Sequence, residues 1–404
     1  MAIVEPFAAL RPQPELALRV AELPYDVMSS DEARQVAAGN PLSFLRVSKP
    51  EIELPRGTDP YSPEVYARGG ENFHRLIADR VLRPDTHPCF YIYQQVMGGH
   101  CQVGFVAVVS CQDYLDHTVK KHELTRVDKE DDRMRHLEAL GAQTGPAFLL
   151  YRATATLDTV LARETGRPPD IDFTAPDSVR HTCWTIADAT TIAQIRAAFR
   201  GVPALYIADG HHRTAAAARV FQARQGAGHS GFFLAVIFPH DQVQILPYHR
   251  AVKDLNGLTP ETFLDRLRRV AALEEQSPTT PHGKGEVALH LSGHWYALRF
   301  KPEPAAARDP LEGLDVTRLQ RRVLGPILGI EDSRRSERIH FVGGIRGTPE
   351  LERLVKGGQC AAAFAMPPTS VEGLLAVADT GGILPPKSTW FEPKLRDGLF
   401  CHLL

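Results

Sequence analysis

The sequence predicts a mixed α/β fold, of the α+β kind, because strand-like and helix-like segments alternate along the chain. Apolar runs at residues 90–95, 102–110 and 231–238 have the length and composition of buried strands. Apolar residues recur at helical spacing over residues 66–82 and 259–272. This mixture indicates sheets covered by helices.

The chain has 404 residues, which is more than one ordinary hydrophobic core organises. A Pro-rich connector at residues 301–310 is the predicted boundary between two parts. We therefore expect a core with large insertions at residues 1–300 and a C-terminal subdomain at residues 301–404. The last loop of that subdomain is expected to return to the functional site.

The composition is typical of a globular protein, with 43% hydrophobic residues and a formal net charge of -2. This charge gives no general attraction to nucleic acid, and no apolar run is long enough to cross a bilayer. The start of the sequence does not resemble a signal peptide, and the six cysteines are scattered without a Cys-x-x-Cys pair. These features favour a cytoplasmic protein with small-molecule substrates. The oligomeric state is left open, with a homodimer among the alternatives.

A polar turn at the centre of the sequence carries the strongest functional signal. Residues 205–208 predict a buried strand, and the alanine-rich residues that follow predict a helix that begins near His211. Asp209, Gly210, His211, His212 and Arg213 lie between these two elements. A strand-to-helix turn of this kind directs backbone N–H groups and the positive end of the helix dipole towards one point. The alternative is an ordinary helix cap with exposed histidines.

A second, highly charged block covers residues 120–133. The second half of the block predicts a helix with one buried face. An ordinary solvated helix, with ion pairs between successive turns, explains the charges of that half well. The same explanation is weaker for residues 122–126, because they precede the periodic part. These residues are therefore candidates for a second edge of the site.

At this point the sequence resembles a widespread prokaryotic family known only as a domain of unknown function. The resemblance is carried by motifs in the family's order over nearly the whole chain: Pro-Tyr-Asp-Val at residues 24–27, Asn-Pro at 40–41, Ser-Phe-Leu at 43–45, His-Glu-x-Thr at 122–125, Asp-Gly-His-His-Arg at 209–213 and Pro-Pro-Lys-Ser-Thr at 385–389. The central turn is also similar to the signature turn of the ParB/sulfiredoxin superfamily.

The resemblance implies a ParB/sulfiredoxin-like core and phosphoryl-group binding at the central turn. It further implies a kinase that phosphorylates free L-serine, with pyrophosphate or a nucleotide as donor. Sulfiredoxin chemistry needs a cysteine in the turn, and this turn has Gly210, His211 and His212 instead. A Walker A sequence is absent, so a nucleotide would have to be held in another way.

Phosphoryl transfer requires cationic groups around the transferred group, a divalent metal ion and a carboxylate near the acceptor hydroxyl. Glu123, Asp209 and His211 are the expected catalytic residues, with the base open between Glu123 and Asp209. The expected phosphate- or substrate-binding residues are Arg46 (on a strand predicted at residues 43–47), Arg126, Lys129, Arg133, Gly210, His212, Arg213, Lys387 and Ser388. Asp131 and Asp132 are the expected Mg²⁺ ligands.

Three alternatives remain at this stage. A ParB-like nucleotide-binding regulatory or DNA-associated module would use the same turn, although the sequence contains no convincing helix-turn-helix. A phosphohydrolase would use water in place of the serine hydroxyl. A zinc site built from His117, His122 and the pair His211 and His212 has the right residue type but no recognised spacing.

Overall fold

The computed structural model describes residues 1–275, 281, 283–301 and 309–404. These residues form two compact units: Met1–Val243 together with Pro393–Leu404, and Gln244–Glu392. The division differs from the predicted boundary at residue 300, because strands on both sides of that residue pair in one sheet. Most of the predicted connector at residues 301–310 lies outside the described residues.

The first unit contains most of the elements, which are numbered along the chain. Its strands are β1 (Val4–Glu5), β2 (Leu10–Pro12), β3 (Leu82–Pro84), β4 (Phe90–Met97), β5 (His100–Ser110), β6 (Val119–Lys120), β7 (Ala142–Gln143), β8 (Ala147–Tyr151), β9 (Ile171–Thr174), β10 (Arg180–Ile186), β11 (Leu205–Asp209), β12 (Phe232–Pro239) and β21 (His402–Leu403). Its helices are α1 (Ala17–Val20), α2 (Ser30–Val36), α3 (Leu45–Ser48), α4 (Pro63–Ala78), α5 (Cys111–Leu115), α6 (Val127–Leu140), α7 (Ala155–Thr165), α8 (Ala189–Arg200) and α9 (His211–Arg224).

A nine-stranded mixed sheet organises this unit, in the order β6-β11-β8-β12-β5-β4-β10-β9, with β1 paired to β5. Strand β11 runs parallel to β6 and antiparallel to β8. Its first four residues are buried, whereas Asp209 at its end is only partly buried. The sheet therefore presents the polar turn at the end of a strand whose body belongs to the hydrophobic core.

Helix α6 connects the sheet to the N-terminal part of this unit, because it packs against both α9 and α4. Close approach to α4 depends on a glycine: a Cβ atom on Gly70 would lie 2.9 Å from the backbone oxygen of Ala139. Helix α6 carries Arg133 and the acidic residues of the charged block, so its position fixes one side of the candidate site.

The second unit contains strands β13 (Gln244–Leu246), β14 (Tyr248–Val252), β15 (Ala271–Glu275), β16 (Glu286–Leu291), β17 (His294–Phe300), β18 (Ile339–Gly343), β19 (Ala362–Ala365) and β20 (Trp390–Glu392). Its helices are α10 (Pro260–Val270), α11 (Asp315–Leu319), α12 (Gly347–Lys356) and α13 (Val371–Asp379). Six of the strands form a sheet in the order β15-β17-β16-β19-β14-β18. A separate hydrophobic core lies against this sheet.

The predicted mixed α/β class is confirmed by these sheets and helices. The ParB/sulfiredoxin-like core stays a prediction. Among the helices of the described ranges, none has both the length and the apolar composition needed to span a bilayer.

The contact between α4 and α6 makes a stability prediction. Gly70→Ala should lower the free energy of unfolding by about 1–3 kcal/mol, because the new methyl group meets backbone that cannot move aside. This loss outweighs the gain of about 1 kcal/mol that alanine normally brings to a helix interior. Urea denaturation measures the difference.

The matched control is Gly231→Ala, where a Cβ atom meets nothing within 4 Å. Its unfolding free energy should stay within about 0.5 kcal/mol of the wild type. A stabilising Gly70→Ala substitution would contradict the packing argument.

Candidate functional site at the turn after strand β11

The predicted strand-turn-helix arrangement is confirmed. Strand β11 ends at Asp209, and helix α9 begins at His211. Between them, Gly210 has a φ of +93°, and a Cβ atom there would lie 3.3 Å from the Cα atom of Ala147. Both the backbone conformation and the neighbouring strand β8 therefore favour glycine at this position.

Asp209 holds the turn together through both of its carboxylate oxygens. Oδ1 accepts a hydrogen bond from the N–H of Gly210 at 2.8 Å, and Oδ2 accepts one from Nζ of Lys394 at 2.8 Å. Burial opposes ionisation of Asp209, but Lys394 and Arg213 together bring its pKa below the usual value. Asp209 is therefore an ionised partner of two cations.

Lys394 is a site residue that the sequence analysis missed. It belongs to the segment Pro393–Leu404, which is part of the first unit although it follows the second unit in the chain. Its side chain is 11% exposed. The expected return of the last loop, which carries the Pro-Pro-Lys-Ser-Thr motif, stays a prediction. Lys394 lies just after that motif, and only this proximity in the sequence hinted at it.

Arg213 points its guanidinium into a buried environment. Its NH1 group donates to the carbonyl oxygen of Pro146 at 2.7 Å, and NH2 lies 3.7 Å from Oδ1 of Asp26. Burial opposes the charge, but Asp397, Asp26 and Asp209 raise the pKa of Arg213 above its usual value. The guanidinium therefore stays charged while 14% exposed.

A second guanidinium, that of Arg133, also lies close to Tyr25. Its central carbon is 3.8 Å from the centre of the Tyr25 ring, and that of Arg213 is 5.9 Å from the same ring. Arg133 also pairs with Asp132 at 2.9 Å. The Pro-Tyr-Asp-Val motif thus supplies an aromatic ring that lies close to two arginines far apart in the sequence.

A cavity of about 50 Å³ is lined by these side chains. Tyr25, Arg133, Arg213 and Asp397 provide its polar wall. A water molecule needs about 10–15 Å³ on this measure, so the cavity has room for a small polar group. A neighbouring cavity of about 130 Å³ shares Tyr25 and Arg133 with it.

Asp397 differs from the other carboxylates of the site. Burial raises its pKa to about 6; Asp26 also raises it, while Arg213 and Arg133 lower it. Its Oδ1 atom makes no hydrogen bond to the described part of the chain. Asp397 therefore carries a buried oxygen that can receive a proton or a ligand donor near neutral pH.

The loop before α6 reaches the start of α9. The rings of His122 and His211 meet edge to face with centres 4.5 Å apart. The backbone N–H of Arg126 donates to Nε2 of His212 at 3.1 Å. The ligand atoms of His122, Glu123 and His211 lie within 4.8 Å of one another. Glu123 and His211, two of the expected catalytic residues, are therefore neighbours.

The remaining residues of the charged block have partners of their own. Arg126 is exposed and pairs with Asp128 at 2.8 Å, and Nζ of Lys129 donates to the hydroxyl of Tyr61 at 2.6 Å. Asp131 pairs with Arg219 at 2.7 Å. Asp132 accepts from the hydroxyl of Tyr66 at 2.9 Å, in addition to its pair with Arg133. The two expected metal ligands thus have separate partners, and their role stays a prediction.

Arg46 has a structural explanation. The segment predicted as a strand at residues 43–47 instead contains helix α3 (Leu45–Ser48), so that assignment was wrong. Arg46 pairs with Glu53 at 2.6 Å and donates to the backbone oxygens of Asn40 and Ala37. These contacts close the loop before α3. They account for the position of the guanidinium without any bound ligand.

Lys387 and Ser388 belong to the second unit. Ser388 is buried, and its hydroxyl donates to the backbone oxygen of Pro385 at 2.6 Å. The Nζ atom of Lys387 lies 5.7 Å from the centre of the Tyr248 ring. These contacts order the Pro-rich loop within its own unit, and the expected role of both residues at the phosphate site stays a prediction.

The raised pKa of Asp397 makes a pH-dependent stability prediction. Its usual pKa is near 3.8, and burial raises it to about 6, so the native state holds a proton that the unfolded chain loses. The resulting stabilisation is fully present below about pH 4 and is lost as the pH rises through about 6. The side chain of the Asp397→Asn variant cannot ionise, so this variant does not lose that stabilisation. Its free energy of unfolding should rise by about 2–3 kcal/mol relative to the wild type between pH 4 and pH 7.

Urea denaturation across this pH range measures the difference between the two proteins. The control is Asp79→Asn, at the exposed end of α4, which should show no comparable gain. A difference between Asp397→Asn and the wild type that stays constant with pH would rule out the protonation.

Several solved structures are similar to this chain at low identity. A conserved hypothetical protein from Pyrococcus furiosus has 15% identity and a TM-score of 0.38, over 74% of this chain and 95% of that one. A free serine kinase in complex with AMP has 16% identity and a TM-score of 0.38, over 73% of this chain and 91% of that one. SbnI from Staphylococcus aureus, with a C-terminal truncation, has 11% identity and a TM-score of 0.39, over 74% and 87%. Scores this low carry no weight for the activity of this chain.

No curated protein matches the sequence significantly. A family model does match, over residues 4–317, and it is described as a protein of unknown function, DUF1015. The matched region covers the turn after β11, the charged block and the Pro-Tyr-Asp-Val motif. The chain therefore belongs to the DUF1015 family.

Proposed function

We propose that this protein is a phosphotransferase that moves a phosphoryl group to the hydroxyl of a small molecule. The observation that carries the proposal is the pair of guanidiniums, Arg133 and Arg213, around one buried cavity beside the start of α9. Arginine forks bind phosphate oxygens in a bidentate manner, and a helix N-terminus adds backbone N–H groups.

Arg213 is the central phosphate-binding residue in this proposal. It uses one N–H for the carbonyl of Pro146, and a guanidinium has five N–H donors, so donors remain for a phosphate. Lys394 adds a second cation, paired with Asp209 at 2.8 Å. The acids around these cations hold them in place before the ligand arrives, which reduces the cost of ordering them on binding.

Glu123 is the better candidate for the base of the two carboxylates that the sequence left open. Asp209 is held by Lys394 and Arg213, which lower its pKa and make it a poor proton acceptor. Glu123 is half-buried and lies beside His211. We therefore assign proton transfer to Glu123 and the positioning of Lys394 to Asp209.

Mg²⁺ fits Asp131 and Asp132 poorly, because both carboxylates already have arginine partners and Asp132 also binds Tyr66. A Mg²⁺ ion usually keeps several waters and is bound through one or two carboxylates together with the phosphates of a substrate. In our proposal Mg²⁺ is supplied with the phosphate donor.

The narrower form of the proposal is a kinase for free L-serine, with pyrophosphate, ADP or ATP as donor. It rests on the resemblance of the central turn to the signature turn of the ParB/sulfiredoxin superfamily. Phosphorus NMR of the purified protein with Mg²⁺ and L-serine, offered each donor in turn, tests it. A signal for O-phosphoserine with one donor is the expected result.

Each other outcome would overturn part of the proposal. Free phosphate that forms equally without serine would identify a phosphohydrolase. Tight nucleotide binding without turnover would favour a ParB-like switch. Transfer to another hydroxylated metabolite, with none to serine, would keep the reaction class and reject the acceptor.

Arg213→Lys is expected to reduce kcat/KM for the phosphate donor by about 10- to 100-fold, because it keeps the charge but loses the planar fork. Lysine is preferred to alanine here because Asp209, Asp26 and Asp397 all face this cation. Full removal of the charge would leave buried acids uncompensated. Steady-state kinetics with the donor varied measures the effect.

Arg224→Lys, in the last turn of the same helix, is the matched control and should leave the kinetics unchanged. Circular dichroism and thermal unfolding of both variants separate a loss of binding from a loss of folding. Equal kinetics for Arg213→Lys and the wild type would reject the phosphate assignment.

A further inference from the structure

We infer that His122, Glu123 and His211 form a binding site for a divalent first-row transition metal, with Zn²⁺ as the reference ion. Each residue offers one ligand atom, and the three atoms lie within 4.8 Å of one another. Bonds of about 2.0–2.1 Å to zinc place such atoms somewhat closer together than this, so small side-chain rotations complete the site. Two imidazoles and a carboxylate match the ligand preferences of zinc and its neighbours.

The buried nitrogen of His211 is the second observation for a ligand here. The residue is 7% exposed, and its Nε2 atom makes no hydrogen bond to the described part of the chain. A buried polar atom left in this state is energetically unfavourable. A metal ion bound to Nε2 would remove that cost.

The environment of His122 orients the ring for metal binding. A ring N–H donates to the backbone oxygen of Ile207, on strand β11, so the other nitrogen of the neutral ring carries the lone pair. Histidine ligands of metals commonly donate their second ring N–H to a carbonyl in this way.

Three further polar side chains surround the ligands: one carboxylate, one lysine and one histidine. Asp209 lies close enough to both histidines to act on their pKa values, and its negative charge favours a nearby cation. Lys121 and His212 also face His211. Three protein ligands leave a coordination position open, as in catalytic rather than structural zinc sites.

Metal binding stands on these three side chains and does not depend on the proposed phosphotransferase reaction. The effect of a bound metal on that reaction does rest on the proposed function. A metal bound here would use Glu123 as a ligand, so Glu123 would no longer accept the proton; the ion would instead lower the pKa of the bound hydroxyl group, which would lose its proton to solvent. The oxygen ligand expected in the open position belongs to the acceptor or to a phosphate.

The test begins with protein stripped by a chelator and dialysed against metal-free buffer. Titration with Co²⁺, followed by the visible absorption bands of the ion, and competition with Zn²⁺ give the stoichiometry and the affinity. We expect one site per chain. His211→Gln and Glu123→Gln should each weaken binding by at least about 100-fold, since loss of even an outer-shell partner costs about 10- to 100-fold.

His87→Gln and Glu138→Gln are the matched controls, because both residues are exposed and lie outside the cluster. They should bind Co²⁺ like the wild type. Circular dichroism of each metal-free variant shows whether it folds, and Glu123→Gln keeps the test valid if His211→Gln does not fold. Absence of Co²⁺ and Zn²⁺ binding to the wild type, or equal binding by the Glu123→Gln variant, would overturn the site.

The two proposals fail in different ways. A protein that binds one Co²⁺ ion through these residues but forms no O-phosphoserine keeps the metal site and loses the kinase. A protein that forms O-phosphoserine but binds neither Co²⁺ nor Zn²⁺ in the titration keeps the kinase and loses the metal site.

Discussion

The ion pair between Asp209 and Lys394 is the interaction on which the candidate site depends. It joins the end of a core strand to a segment that returns to the first unit from far along the chain. A buried carboxylate is expensive unless it is paired, and here the pairing also fixes Asp209 against the N–H of Gly210. The same segment brings Asp397 to the cavity of the two arginines. One charge pair therefore sets the position of several functional groups.

The central turn could be predicted from the sequence because its causes are local. An apolar run makes a strand, alanines make a helix, and only a glycine suits the backbone between them. The segment at residues 43–47 misled the same reasoning, because three of its five residues belong to a short helix. The partners of Arg46 in this segment are backbone oxygens and Glu53, which local composition does not reveal.

The rest of the site is made by long-range contacts, and the sequence analysis found only part of it. Arg133 was named for its charge, but its position with Arg213 beside the ring of Tyr25 became clear only in three dimensions. Lys394 and Asp397 carry no motif of their own and lie just beyond the Pro-rich motif that drew attention to Lys387 and Ser388. A single sequence shows which residues are chemically capable, whereas tertiary pairing decides which of them meet.

The route of the chain through the first unit has a consequence for protein synthesis. Because Gln244–Glu392 is made before Pro393–Leu404, the ribosome completes the whole second unit before Lys394 exists. At ordinary elongation rates this delay lasts roughly ten seconds or more, during which Asp209 lacks its partner. A nascent chain can thus build most of its sheet, yet the turn after β11 gains its Lys394 partner only after translation has passed the inserted unit.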